Sequence, residues 1–96
     1  MRNAMIIDGK DNVAVAIEPI AKGATVTYLR DGQEFNLTAL EDITIYHKLA
    51  IRDIPEGEPV VKYGEHIGVA AREIKTGEHV HEHNVGSHRE NLEAKA

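Results

Sequence analysis

The chain has 96 residues, a formal net charge of −5 and no cysteine. This length fits one domain with a modest core. The acidic balance argues against a nucleic-acid surface, which needs clustered lysine and arginine, and the lack of cysteine excludes disulfides and thiolate chemistry. No apolar run approaches the roughly 20 residues that span a bilayer, so we expect a cytoplasmic protein without a membrane contact.

Short strands and tight turns are predicted in the first part of the chain. Met5-Ile6-Ile7 is apolar and ends at Asp8-Gly9, a turn signal. Asp31-Gly32 separates two strand-like segments and predicts a two-residue hairpin. Thr38 precedes Glu41 at the spacing of a capping box, which predicts one short helical turn. Helical periodicity is otherwise absent, so the sequence predicts an all-β domain.

Three segments of the chain repeat one sequence pattern. Each has an aliphatic residue and alanine, then isoleucine, glycine and valine at the same offsets; the segments are 15–26, 49–60 and 69–80. Their unequal spacing is not that of a solenoid. A type I turn followed by a left-handed glycine would join two strands in each segment as a bent hairpin. We therefore predict positive φ at Gly23, Gly57 and Gly77.

Histidine alternates with other residues at the end of the third segment, at His79, His81 and His83, and Asn84 follows. On a strand the three imidazoles would share one face. Imidazole titrates near neutral pH and is the commonest metal ligand, so the row predicts metal binding, acid/base chemistry or anion binding. The alternative is a solvated edge strand, because no His-x-x-x-His zinc spacing is present.

Other polar residues are weaker candidates. Lys62 is placed to receive a carboxylate, although a solvated lysine is the commoner outcome. His47 is expected to be a structural histidine. His66 and His88 are assigned no role.

Taken in order, these segments resemble the amino-terminal domain of altronate and galactarate dehydratases, a member of the SAF group. The resemblance extends from about Asn12 to about Asn84. It rests on the repeats and on three further stretches of sequence: His47-Lys48-Leu49-Ala50, Lys62-Tyr63-Gly64 with Ile67-Gly68, and Val80-His81-x-His83-Asn84. The resemblance implies a β-clip fold of bent hairpins over residues 1–84, with a polar tail over 85–96.

The resemblance also implies a lyase that works as two parts. In this family the small domain precedes a large catalytic domain, whereas this chain stops where the large domain should begin. Two-subunit sulfolactate sulfo-lyases divide the same parts between chains. We therefore expect the small subunit of a carbon–oxygen hydro-lyase of the altronate/galactarate dehydratase kind, or of a sulfolactate sulfo-lyase. It would be active only with a large lyase subunit, on a sugar acid or a sulfonated hydroxy acid. Met1 and the polar finish favour a natural short chain over a fragment.

The implied reaction is a β-elimination, in which a base removes the proton next to a carboxylate while hydroxide or sulfite leaves. His81 and His83 are the predicted catalytic residues, and Asn84 and Lys62 the predicted substrate-binding residues. A divalent metal, iron or manganese in the first place, is expected on His79, His81 and His83. The resemblance leaves open whether the large subunit holds most of that metal.

Two other functions stay open at this point. The wider SAF group includes non-catalytic binding and assembly modules, in which the histidines would be surface or interface residues. An isolated metal-binding domain is the third alternative. Exposed hairpin edges also make a homo-oligomer reasonable.

Overall fold

A computed structural model describes residues 2–86 as short antiparallel strands joined by turns. The strands are β1 (Ala4–Met5), β2 (Val13–Ala16), β3 (Thr25–Arg30), β4 (Gln33–Thr38), β5 (Lys48–Ala50), β6 (Pro59–Lys62), β7 (Glu65–Ala70), β8 (His79–Val80) and β9 (Val85–Gly86). The all-β prediction is confirmed for these residues. The described range holds no helix with the length and apolar character to cross a membrane.

The strands form three small sheets, with four strands in the order β1-β2-β5-β8, two in the order β3-β4 and three in the order β6-β7-β9. The predicted hairpin turn is confirmed, since Asp31 and Gly32 connect β3 to β4 with φ of 52° and 77°. Positive φ at both positions is what a type I′ turn requires. Tyr63 and Gly64 connect β6 to β7 in the same way, with φ of 56° and 75°.

The helical turn predicted from Thr38 is wrong. Thr38 ends β4, and the amides that follow it donate to distant carbonyls. Ala39 N donates to Ala24 O at 2.9 Å, and Leu40 N donates to Gly77 O at 2.9 Å. Because backbone amides must be satisfied once buried, this long-range pairing replaces the local bonds of a helix.

The glycines of the three repeated segments have the predicted geometry, with φ of 88° at Gly23, 86° at Gly57 and 90° at Gly77. The prediction that each segment is a hairpin is wrong, because its two strands enter different sheets. In the first segment, β2 pairs with β1 and β5, whereas β3 pairs with β4. The turn therefore forms a corner, which moves the chain from one sheet to the next.

The structure contains a fourth corner, which the sequence did not predict. Four segments follow the same backbone path, namely 17–24, 40–47, 51–58 and 71–78, and we number them corners 1 to 4. In corner 2, Tyr46 takes the place of the glycine, with φ of 69°. The isoleucines join the corners in pairs, through the bridges Ile20 to Ile43 and Ile54 to Ile74.

The hydrogen bonds of two asparagines repeat as well. The side-chain oxygen of Asn3 accepts from Thr27 N at 2.8 Å, and that of Asn12 accepts from Val61 N at 2.7 Å. The buried apolar side chains form two core clusters. The first core includes Ile20, Val26, Ile43 and Leu49, and the second includes Ile54, Val60, Ile74 and Val80.

Strand β9 pairs with β7 through Ala70 to Val85 and Val69 to Gly86. Regular structure therefore continues two residues beyond the domain boundary predicted at Asn84, and that boundary stays a prediction. Residues 87–96 of the predicted tail, with His88, lie outside the described residues.

Candidate functional site

Four histidine side chains meet where corner 2 approaches β8. In the antiparallel pair β5–β8, Lys48 lies opposite Val80, and continuing this register by one residue places His47 opposite His81. Their ring centroids are 4.4 Å apart and their planes differ by 12°, as expected for side chains that face each other across a ladder. We call His47, His79, His81 and His83 the histidine cluster.

The predicted histidine strand ends earlier than expected, because β8 stops at Val80 and residues 81–84 form a turn. The rings nevertheless stay close together. The ring centroid of His79 lies 5.6 Å from that of His81 and 5.3 Å from that of His83. His79 and His81 are half-buried, whereas His83 is exposed.

The surroundings of His79 favour its neutral imidazole. Nδ1 of His47 and Nε2 of His79 are 2.9 Å apart, and one nitrogen must accept the proton that the other donates. Burial, followed by repulsion from His47, His83 and His81, lowers the pKa of His79 against the opposing charge of Glu41. Metal ions bind neutral imidazole, so this environment prepares His79 as a ligand at neutral pH.

Three of these rings fit a metal ion. His47, His79 and His81 each offer one nitrogen, and the three nitrogens lie within 4.8 Å of one another. A set of imidazole nitrogens suits zinc, iron, copper or nickel. His83 belongs to another group, since its ligand atom lies within 4.8 Å of those of Glu41 and Glu78. The metal ligands predicted from the sequence, His79, His81 and His83, stay a prediction. The geometry favours His47 in place of His83.

The two glutamates of that second group are engaged within the fold. Glu41 accepts from the backbone N of His79 at 3.1 Å. Glu78 is buried, and its carboxylate forms an ion pair of 3.0 Å with Arg72. These contacts position the backbone beneath the histidine cluster, which makes the His47, His79 and His81 group the better metal site.

Asn84 is fully buried and holds the turn that carries the histidines. Its side-chain amide donates to His79 O at 2.8 Å and accepts from His81 N at 3.0 Å. The substrate contact predicted for Asn84 stays a prediction. The observed bonds orient the cluster from beneath, as partners behind a ligand shell commonly do.

A groove of about 330 Å³ adjoins the histidine cluster at His81. Its lining consists of Lys48, Ile67, His81, Glu82, Val85 and Gly86. Lys62 lies nearby, with its ammonium 4.8 Å from the ring centroid of Tyr63 and its charge acting on Lys48. A larger groove of about 460 Å³ runs beside Ile20 and Ile43, but Asp42 is its sole ionisable lining residue. The smaller groove therefore carries the ionisable side chains of Lys48, His81 and Glu82, and His81 is the one ring of the histidine cluster in its lining.

Sequence reasoning missed two members of this site, His47 and Lys48. A usable signal was present in corner 2. Aligning Tyr46 with Gly77 makes His47-Lys48 equivalent to Glu78-His79. These dipeptides stand at the starts of β5 and β8, which pair with each other. The tyrosine in a glycine position concealed that alignment.

The fold and the site define a small all-β module that groups four imidazoles beside a groove. Comparison with known proteins specifies the class further. The family model of the altronate/galactarate dehydratase SAF domain matches residues 2–88. The chain belongs to this family, as the sequence predicted.

Individual relatives fall into two kinds. The chain is 40% identical over 87 residues to the altronate dehydratase of Escherichia coli strain K12, which covers 91% of the chain but 17% of that relative. It is 38% identical over 88 residues to the (2R)-sulfolactate sulfo-lyase subunit alpha of Chromohalobacter salexigens, covering 88% of the chain and 94% of that relative. With the same subunit of Paracoccus pantotrophus the identity is 44% over 54 residues, 56% of the chain and 81% of the relative. The chain therefore spans about a sixth of the first relative and nearly all of the second.

Proposed function

We propose that this chain is the small subunit of a two-component lyase that eliminates water or sulfite from a hydroxy acid, with the histidine cluster forming one wall of a shared active site. The observation that carries this proposal is the exposure of the cluster. Three of its rings are half-buried and the fourth is exposed, whereas elimination needs a pocket that excludes water. A second chain is needed to cover that face.

The lengths of the relatives support a separate partner. The chain has nearly the full length of a protein named subunit alpha of a sulfo-lyase. In the altronate dehydratase relative, the same sequence is a small part of a much longer chain. Both relatives are lyases by name, so the common role of this domain is best sought in elimination chemistry.

The imidazoles have two tasks in such a reaction. A base removes the proton from the carbon next to the carboxylate. The electron pair of that broken C–H bond forms the new double bond, and the leaving group departs from the neighbouring carbon. A leaving hydroxide needs a proton, which His81 or His83 can donate if it lies within hydrogen-bond reach. Asn84 holds the backbone of His79 and of His81, on either side of Val80.

A divalent metal fits the His47, His79 and His81 nitrogens. Such an ion would act as a Lewis acid and stabilise the negative charge that develops on the substrate. The chain's own contribution is to hold these imidazoles stacked against one another. The identity of the metal, iron or manganese by the family resemblance, belongs to the proposal, as does the share held by the large subunit.

The test is reconstitution with the large subunit. The chain is purified gently with an affinity tag, and its partner is identified by native mass spectrometry. We expect one large polypeptide and elimination activity toward a sugar acid or a sulfonated hydroxy acid. The His81→Ala/His83→Ala double variant should assemble normally and lose turnover. His66→Ala, on β7 outside the cluster, is the matched control and should retain turnover.

Near-normal turnover in the double variant would refute the catalytic role of the cluster. A chain that recovers no large partner and only associates with itself would instead favour the binding or assembly module. Release of sulfite rather than water by the reconstituted enzyme would identify the sulfo-lyase branch.

A further inference from the structure

Corner 2 borders the histidine cluster at both of its ends. Near its start, Glu41 accepts a hydrogen bond from the backbone N of His79 at 3.1 Å, and its carboxylate lies within 4.8 Å of a ring nitrogen of His83. At its end, His47 stacks on His81 with the ring centroids 4.4 Å apart. The residues between these two ends therefore adjoin the imidazoles.

The sixth and seventh residues of corner 2 differ from those of the other three corners. Corner 2 has Ile45-Tyr46 at these positions. The other corners have a polar residue followed by glycine, namely Lys22-Gly23, Glu56-Gly57 and Thr76-Gly77. Because three corners follow the same backbone path with a polar residue and a glycine, the fold does not require an isoleucine and a tyrosine there.

Tyr46 has an unfavourable backbone conformation and an exposed ring. Its φ of 69° lies in the region that glycine tolerates and that destabilises a residue with a Cβ. The ring packs little against the rest of the chain, since Tyr46 is 72% exposed. Backbone strain of this kind is concentrated at functional sites, and tyrosine is among the residues that contribute most to binding at protein interfaces. Contact with another molecule would account for both features.

The larger groove, of about 460 Å³, extends along corner 2 as far as the residue before Tyr46. Pro19, the third residue of corner 1, and Ile45, the sixth of corner 2, both line it. The bridged corners 4 and 3 have Glu73 and Glu56 at the same third and sixth positions, both exposed. The same arrangement of two corners is apolar in one case and acidic in the other, so the fold does not require the apolar groove either.

This groove suits an apolar side chain better than a sugar acid. Among the described residues that line it, Asp42 is the one that ionises, and its carboxylate accepts from the backbone N of Lys22 at 2.8 Å. A substrate anion would meet no cation in that lining and would be repelled by Asp42. An apolar side chain would instead cover Pro19 and Ile45, and removing their surface from water favours association.

The large lyase subunit is the occupant that these features fit. The relative that this chain covers almost completely is itself named a subunit, and the proposed active site needs a second chain over His47 and His81. A standard interface takes about 800 Å² from each partner, so a chain seated on those rings extends well past them. Tyr46 directly precedes His47, with the two Cα atoms about 3.8 Å apart, and is within reach of that chain.

We propose that corner 2 docks the large lyase subunit, with the Tyr46 ring as the anchor and the groove at Pro19 and Ile45 receiving an apolar side chain of that subunit. The docked chain covers the histidine cluster. This inference rests on the proposed function and deepens it, because it assigns the surface by which the small subunit holds its partner. Tyr46 and Ile45 act in binding the partner and take no part in the elimination.

The experiment measures how variants of corner 2 bind the large polypeptide. That polypeptide is separated from the complex recovered with the tagged chain, and its binding to fresh chain is titrated by biolayer interferometry. Tyr46→Gly introduces the residue of the other corners, so the Tm of the isolated variant should not fall. Its affinity for the large polypeptide should nevertheless fall at least about tenfold, as expected for an aromatic anchor. Ile45→Lys, which introduces the residue of corner 1, should also weaken binding.

Tyr63→Gly is the matched control. Tyr63 is another exposed tyrosine at positive φ, with 53% exposure and φ of 56°, but it lies in the β6–β7 turn. Its variant should bind the large polypeptide as the unsubstituted chain does. Turnover separates docking from chemistry, because Tyr46→Gly should need a higher concentration of small chain and then reach the kcat of the unsubstituted complex.

Unchanged affinity in Tyr46→Gly, or an equal loss in Tyr63→Gly, would overturn the docking role of corner 2 and leave the proposed function standing. A low kcat of Tyr46→Gly at saturation would also overturn it, by placing the ring in the reaction. Self-association of the chain that Tyr46→Gly abolishes, with binding of the large polypeptide intact, would assign the surface to a second copy.

The proposed function can fail in ways that differ from these. Recovery of no large polypeptide would overturn both the proposed function and the docking role. Weakened docking of Tyr46→Gly together with near-normal turnover of the His81→Ala/His83→Ala variant would support the docking role and refute the catalytic role of the histidine cluster alone.

Discussion

Tyr46 and Gly77 occupy equivalent positions in corners 2 and 4. The amide of Tyr46 donates to Ala16 O at 2.7 Å, and the amide of Gly77 donates to Ala50 O at 2.8 Å. Their φ angles are 69° and 90°. Tyrosine thus adopts, in one corner, a backbone conformation that the other three corners assign to glycine.

This relationship predicts that Tyr46→Gly stabilises the isolated chain. A left-handed conformation costs an ordinary residue about 1–2 kcal/mol, which glycine avoids. Glycine also has more freedom in the unfolded state, and losing that freedom on folding offsets part of the gain. Tyr46 is 72% exposed, so little packing is lost. We expect a net gain of about 0.5–1 kcal/mol, equal to a rise in Tm of a few degrees, measured by thermal unfolding.

Tyr46→Ala is the matched control, because it removes the ring but keeps a Cβ at positive φ. It should leave Tm nearly unchanged. If alanine and glycine stabilise the chain equally, the ring and not the backbone is the source of strain.

His47→Ala should weaken metal binding by the isolated chain at least about tenfold, since even partners behind a ligand contribute 10–100-fold. The reason is that His47, not His83, completes the nitrogen set with His79 and His81. The measurement is a titration with Co²⁺ followed by visible absorption. His83→Ala is the control and should bind Co²⁺ as the unsubstituted chain does. If His83→Ala weakened Co²⁺ binding and His47→Ala did not, the metal ligands would be the histidines predicted from the sequence.

Asn84→Ala should destabilise the chain by about 2–3 kcal/mol, because it leaves the partly buried His79 carbonyl and His81 amide without their side-chain partner. Urea unfolding measures the change. Glu82→Ala, at the exposed position within the same turn, should stay within about 0.5 kcal/mol of the unsubstituted chain. A small effect of Asn84→Ala would mean that the turn is held by its backbone alone.

Acid should destabilise the fold through Asp11. Burial raises the pKa of this carboxyl, but the amides of Gly64, Asp8 and Ile7 donate to it and lower the pKa below its ordinary value of 3.8 overall. A carboxyl with a depressed folded-state pKa stabilises the protein above its unfolded-state pKa. That contribution is lost as the pH falls through the folded-state value.

We therefore expect the unfolding free energy to decrease below about pH 4, and to decrease less in Asp11→Asn. Denaturant unfolding across a pH series measures both curves. Asp31→Asn, in the exposed β3–β4 turn, should follow the unsubstituted chain. Parallel curves for Asp11→Asn and the unsubstituted chain would refute the role of Asp11.

The sequence by itself determined the features that depend on local geometry. Asp31-Gly32 predicted its hairpin, and the glycines at 23, 57 and 77 predicted their positive φ, because few residues tolerate these backbone angles. The family was also evident, since it rests on motifs in a fixed order. The helical turn predicted from the capping-box spacing at Thr38 was wrong. That spacing expresses a local preference, and hydrogen bonding to distant carbonyls overrode it.

Only the tertiary structure decided what the corners join and what the histidines meet. A corner sends its two strands into different sheets, so the hairpins expected from the repeats become long-range pairings. The approach of His47 to His81 follows from the β5–β8 register, which pairs two strands far apart in the sequence. Pairing between segments far apart in sequence is chosen by shared burial and hydrogen bonding, which no local pattern of residues specifies.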